Sequence, residues 1–161
     1  MKQIKYLLIL SLLLLLFGCN EVVYTQQNSA YIVLKTPTLK YADMGFVYEN
    51  SDEVKAEIYG SGQVLMTLRI TKGSVCISRL KCMSKTAFNT YVLNQSYPPD
   101  TIEQIFRGKP VFGGANMVQK RNGFTQKLIK TNKYHIEYTV LNKQILFRDT
   151  INKILIKVIK Q

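Results

Sequence analysis

Val54-Lys55-Ala56-Glu57-Ile58-Tyr59-Gly60-Ser61-Gly62-Gln63-Val64-Leu65-Met66-Thr67-Leu68-Arg69-Ile70 is the stretch on which the fold turns. Side chains of a strand alternate between two faces, so Val54, Ala56 and Ile58 share one face and Lys55 and Glu57 the other. Gly60-Ser61-Gly62 supplies a turn. Val64, Met66, Leu68 and Ile70 then resume the apolar face, with Thr67 and Arg69 pointing outward. A buried face opposite a wet one is the pattern of an antiparallel sheet covered on one side.

Upstream, Ala30 to Leu34 reads as a strand stopped by Pro37, and Tyr41 to Tyr48 as a second, closed by the polar turn Glu49-Asn50-Ser51-Asp52. Downstream, Lys72-Gly73 turns the chain into Val75 to Met83, a tight hairpin around Ser78 to Leu80 that sets Cys76 opposite Cys82. Ser84 is a suitable N-cap for a helix over Lys85 to Leu93, with Ala87, Phe88, Tyr91 and Val92 as its apolar stripe. After Pro98-Pro99, Asp100 caps a short second helix whose face is Ile102, Ile105 and Phe106 and which Gly108 ends. Gly113-Gly114 falls in a loop. Strands resume at Ile136 to Val140, Ile145 to Arg148 and Ile154 to Val158. Strands, then two helices, then strands, without βαβ alternation, predict an α+β domain: a curved antiparallel sheet around two short helices.

The amino terminus carries a different signal. Lys2 and Lys5 are followed by an apolar run to Phe17, too short for a membrane-spanning helix of ~20 residues. Leu16-Phe17-Gly18-Cys19 reads as a lipobox: a small residue before the cut and a thiol after it. Residues 1–18 are therefore expected to be a bacterial lipoprotein signal peptide, Cys19 the lipidated residue, 19–28 a polar tether and 29–161 one domain. The alternative is a secretory signal without lipid. Asn20 follows Cys19 where an aspartate would suggest retention at the inner membrane. The expected location is the outer membrane, facing the periplasm.

Export places the chain where disulfides persist. With Cys19 lipidated, Cys76 and Cys82 remain, either as a structural disulfide or as two free thiols. No Cys/His cluster for a metal accompanies them. The charge is uneven: residues 19–108 carry nine Lys/Arg and eight Asp/Glu, residues 109–161 eleven Lys/Arg and two acids. Such a field attracts anions, and Lys120, Arg121, Lys127, Lys130 and Lys133 are the candidate contacts for headgroups, lipopolysaccharide or an acidic partner. A merely solvated basic face is the other reading. Export removes the chain from nucleic acid, which is not expected as a partner.

Catalytic signals are weak. His135 is the lone histidine, on the polar face of a strand, and reads as a surface residue. Nucleophile-elbow, zincin and phosphate-loop patterns do not occur in the sequence. A non-enzymatic protein without cofactor or metal, and a monomer, is expected. The tyrosines and phenylalanines form either an ordinary core or the lining of an apolar cavity.

The layout resembles LolB, the outer-membrane lipoprotein that accepts lipoproteins from the carrier LolA. The likeness rests on Phe46-Val47-Tyr48 before a polar turn, the strand pair Val54–Tyr59 and Val64–Ile70 running into Lys72-Gly73, the helix that follows, Tyr97-Pro98-Pro99, Ile105-Phe106-Arg107-Gly108-Lys109-Pro110, and the closing strands. It implies an open half-barrel that holds acyl chains in an apolar cavity and receives lipoproteins from a LolA-like carrier. The cavity candidates are Phe46, Tyr48, Ile58, Met66, Leu68, Phe88, Ile105, Phe106, Tyr138 and Phe147. In that family a loop between the central strands exposes a hydrophobic residue. The corresponding Gly60-Ser61-Gly62-Gln63 has none. The competing expectation is an LptE-like assembly or scaffold lipoprotein that binds lipopolysaccharide or a barrel partner.

Overall fold

The computed structural model describes residues 22–78 and 81–161. The signal segment, Cys19 and the first tether residues lie outside the described residues, as do Arg79 and Leu80 of the hairpin turn. The strands are β1 (Gln26–Lys35), β2 (Lys40–Glu49), β3 (Glu53–Gly60), β4 (Gln63–Thr71), β5 (Ser74–Ile77), β6 (Lys81–Ser84), β7 (Met117–Lys120), β8 (Gly123–Lys130), β9 (Tyr134–Leu141), β10 (Gln144–Asp149) and β11 (Ile154–Lys160). The helices are α1 (Lys85–Val92) and α2 (Thr101–Arg107), with a 3-10 turn at Phe112–Gly114.

Among the described residues, all eleven strands belong to one antiparallel sheet in the order β6-β5-β4-β3-β2-β1-β11-β10-β9-β8-β7. It is open: β6 and β7 are its two edges. The protein is thus mostly β, with two short helices, rather than an even mixture of the two. The first and last strands meet at the centre, Ala30 opposite Lys160 and Lys35 opposite Leu155.

One face of the sheet is apolar along its length. Ala30, Ile32 and Leu34 of β1, Ala56 and Ile58 of β3, Leu68 and Ile70 of β4, Ile136 and Tyr138 of β9, Phe147 of β10, and Ile156 and Val158 of β11 are all fully buried. Both helices pack on this face. α2 touches β3 and β4 on one side and β10 on the other, across the three strands between. Phe88, Ile102, Ile105 and Phe106 complete the core from the helix side. Burying each such side chain is worth ~1.5–3 kcal/mol.

Local chemistry explains the helix ends. The Ser84 hydroxyl accepts from the Ala87 amide at 3.1 Å. Gly108 closes α2 in the left-handed conformation. Asp100 stands at the N-cap of α2 but makes no side-chain cap bond, because its carboxylate accepts from Lys85 instead, at 2.7 Å. The buried side of α1 is Phe88, Asn89 and Val92. Tyr91, expected in the stripe, is 71% exposed, since the Asn89 amide turns inward to donate to the carbonyls of Tyr97 and Pro98 at 3.1 and 2.8 Å.

Three boundaries differ from the sequence expectation. Folded structure starts before Ser29: Gln26, Gln27 and Asn28, placed in the tether, pair with Glu49, Tyr48 and Val47. Residues 117–130, to which the sequence reading assigns no element, form the β7–β8 hairpin. Val64 leaves the inward row because the β3–β4 register shifts between Ile58 and Tyr59: Ile58 faces Met66 but Tyr59 faces Val64. The extra residue is Leu65, and the bulge turns both it and Val64 to solvent.

Candidate functional site

Eight of the ten cavity candidates are brought together. Ile58, Met66, Leu68, Phe88, Ile105, Phe106, Tyr138 and Phe147 are fully buried in one core between sheet and helices. Phe46 and Tyr48 are not part of it. On β2, Gly45 and Val47 are the buried residues, so alternation sends Phe46 and Tyr48 to the outer face. Gly45 faces inward under constraint: a Cβ there would lie 1.9 Å from the Glu57 carbonyl oxygen.

Polar contacts hold the helical layer down. The Tyr97 hydroxyl donates to Asp149, which also accepts from the backbone amides of His135 and Ile151 and from Asn152. Burial opposes the charge of Asp149, but these hydrogen bonds outweigh it and hold the carboxyl below its ordinary range. Burial, then the bond to Asp149, push the Tyr97 phenol upward. Lys85 bridges Asp100 and Glu103 at 2.7 and 2.6 Å, tying α1 to α2. Its burial disfavours the ammonium, yet the two carboxylates raise it above the usual lysine value. Arg107 donates to Glu103 and to the Asn50 carbonyl, both at 2.9 Å. Gln126 of β8 pairs with Val111 as a strand backbone would, with its amide also reaching the Ala115 carbonyl at 2.7 Å.

Beside α1 lies a groove of about 620 Å³ lined by Thr38, Leu39, Ile77, Lys81, Cys82, Met83, Tyr91 and Val92. Cys76 and Cys82 are disulfide-bonded across β5 and β6, with Cα atoms 3.9 Å apart. The bridge fixes the short edge hairpin that forms one wall. Leu39, Ile77 and Met83 connect this groove to the core.

The outer face of β2, β3 and β4 carries a second constellation, which sequence reading missed because Tyr24 falls in the expected tether. The Tyr24 hydroxyl donates to Glu53, and Arg69 grips the same carboxylate at 2.7 and 3.2 Å. Burial raises the Tyr24 phenol, and the bond to Glu53 raises it further. Burial works against ionisation of Glu53, but the bonds from Arg69 and Tyr24 leave it below the ordinary value. The Lys55 ammonium lies 4.0 Å from the Tyr48 ring centre and 5.2 Å from that of Tyr24, and 3.0 Å from Glu57. The Asn50 amide donates to the Val23 carbonyl at 2.9 Å. Val22, Tyr24, Lys55, Val64, Leu65 and Arg69 line a groove of about 700 Å³. Val64 and Leu65, next to the β3–β4 turn, are 48% and 54% exposed.

The basic candidates are exposed but not gathered. Lys120 and Arg121 lie at the β7–β8 turn, Lys130 and Lys133 at the opposite end of the sheet, and Lys127 between them, opposite Glu137. Among the described residues, Lys160, paired with Glu49 at 2.7 Å, is the one cation of segment 109–161 in an ion pair. His135, expected on the surface, is half-buried, and its Nε2 is buried without a partner. Among the described residues no group of three metal-ligating side chains gathers, and no helix is long and apolar enough to cross a membrane. No protein-family model matches the chain, and no curated protein matches it.

Proposed function

We propose that this protein is a lipid-anchored, acyl-chain-binding domain of the LolB type, an acceptor in lipoprotein localisation held at an outer membrane through Cys19. The observation that carries this reading is the open antiparallel sheet whose apolar face is covered by two short helices and the segments joined to them. We read that sheet as a half-barrel, because α2 spans from β3 and β4 to β10. Each methylene of an acyl chain is worth ~0.8 kcal/mol when buried, so an aqueous carrier and its receptor both need such a face. Phe88, Ile105 and Phe106 pack against it. An acyl chain entering by the groove beside α1 replaces these contacts with its own, and the helices act as the lid. Val64 and Leu65, exposed on β4, are the apolar side chains next to the turn where the family exposes a hydrophobic residue.

The test mixes the soluble domain with a lipoprotein-loaded carrier. Movement of the lipoprotein onto the domain is expected, and absence of any transfer overturns the acceptor role. Native mass spectrometry of the domain purified without its anchor gives an independent readout, co-purifying lipid.

A second reading, an LptE-like assembly lipoprotein, draws on the exposed cations of residues 109–161. A stoichiometric barrel partner or lipopolysaccharide retained in place of acyl transfer would favour it.

A further inference from the structure

The last residues of the tether are bound to the sheet. Val22 lies in the groove over β3 and β4, Val23 is held through its carbonyl by Asn50, and Tyr24 is fastened to the Glu53–Arg69 pair with its ring beside Lys55. Thr25 then joins the sheet through its amide to the Glu49 carbonyl at 3.0 Å. The chain therefore passes over the outer face before it becomes β1. From Val22 back to Cys19 there are three residues, which span at most ~10 Å when fully extended.

We infer that this clamp orients the domain on the bilayer, with the outer face of β3 and β4 turned to the lipid and Val22, Val23, Val64 and Leu65 as the contact patch. The inference rests on the lipidation of Cys19 contained in the proposed function. Its occupant is the bilayer holding the anchor. An anchor so close to Val22 brings the membrane surface to the groove edge, where four exposed apolar side chains meet it. Val22 and Val23 are 48% and 78% exposed. An anchor on a free tether would let the domain tumble. A docked tether ties the lipid to one side of the protein and leaves the helix-covered face pointing away from that contact, open to a soluble carrier. Opposite Tyr24, Arg69 and Lys55 compensate both carboxylates of the clamp, so docking buries no unpaired charge.

The chain contains no tryptophan, so one introduced indole is a clean depth reporter. Full-length lipidated protein is reconstituted into phosphatidylethanolamine/phosphatidylglycerol vesicles with brominated acyl chains. Leu65→Trp reports the patch, Val23→Trp repeats it at a second position, and Val118→Trp on edge strand β7 reports the other end of the sheet. Several-fold stronger quenching at positions 65 and 23 than at 118 is expected. Tyr24→Ala with Glu53→Gln should bring the three toward equality while flotation with the vesicles persists. Equal quenching in the otherwise unaltered chain overturns the orientation but leaves the anchor standing. Failure to float overturns the anchor and the orientation together, and neither result depends on lipoprotein transfer.

Discussion

The Tyr97 hydroxyl donates a hydrogen bond to the Asp149 carboxylate, joining the loop between α1 and α2 to the end of β10 across 52 positions of sequence. It is one of the buried polar contacts that pin the helical layer to the far half of the sheet. Tyr97→Phe removes a bond to a charged acceptor and should cost about 1.5–3 kcal/mol in urea unfolding.

The same pair sets an acid dependence. Asp149 has a lower proton affinity folded than unfolded, so its contribution is complete above the unfolded carboxyl value of ~4 and is lost as pH falls through the lower folded value. Asp149→Asn should be less stable at neutral pH and show a shallower loss of stability on acidification, measured by urea midpoints across that range.

Lys85 works in the opposite direction. Its folded ammonium is held above the unfolded value by Asp100 and Glu103, so its stabilisation is present below the unfolded lysine value and disappears as pH rises through the folded one. Lys85→Met should flatten the alkaline limb of the stability profile. In hydrogen exchange it should loosen α1 before the sheet.

Cys76 and Cys82 close a short loop, six positions apart. Loop entropy assigns such a bridge about 2 kcal/mol. Replacing both by serine should cost about that much and raise amide exchange locally in β5 and β6, leaving β9 to β11 protected.

Gly45→Ala would drive a Cβ against the Glu57 carbonyl. A loss of about 1–3 kcal/mol is expected for the overpacking, with the β2–β3 pairing the first to weaken in exchange measurements.

The legible parts of the fold were those where one physical signal acted alone. Val54 to Ile58 and Met66 to Ile70 alternate because one face is buried and the other wet. Ser84 and Gly108 mark helix ends by their own chemistry, and the spacing of Cys76 and Cys82 implied their register. What stayed hidden depended on distant partners. Gln126 points into the core, where Val111 and Ala115 satisfy its amide. A polar residue at an inward position masks the alternation of Phe124 and Leu128, so the sequence reading assigns no strand to β7 and β8. The bulge at Leu65 leaves no mark of its own in the composition, so Val64 was placed on the wrong face. Phe46 and Tyr48 were misassigned for want of phase in β2, whose inward position at Gly45 is fixed by the carbonyl of another strand. Tyr24 reads as tether until Glu53 and Arg69 are seen beside it.

The pairing of β1 with β11 has a temporal consequence. β1 and β11 are neighbours in the middle of the sheet, so neither half has a covered inner edge until β11 pairs with β1. Ala30 waits for Lys160. Contacts this far apart along the chain make closure slow. A chain that has formed only β1 to β6 presents β1 as an open edge, and unpaired edges of this kind are prone to aggregate.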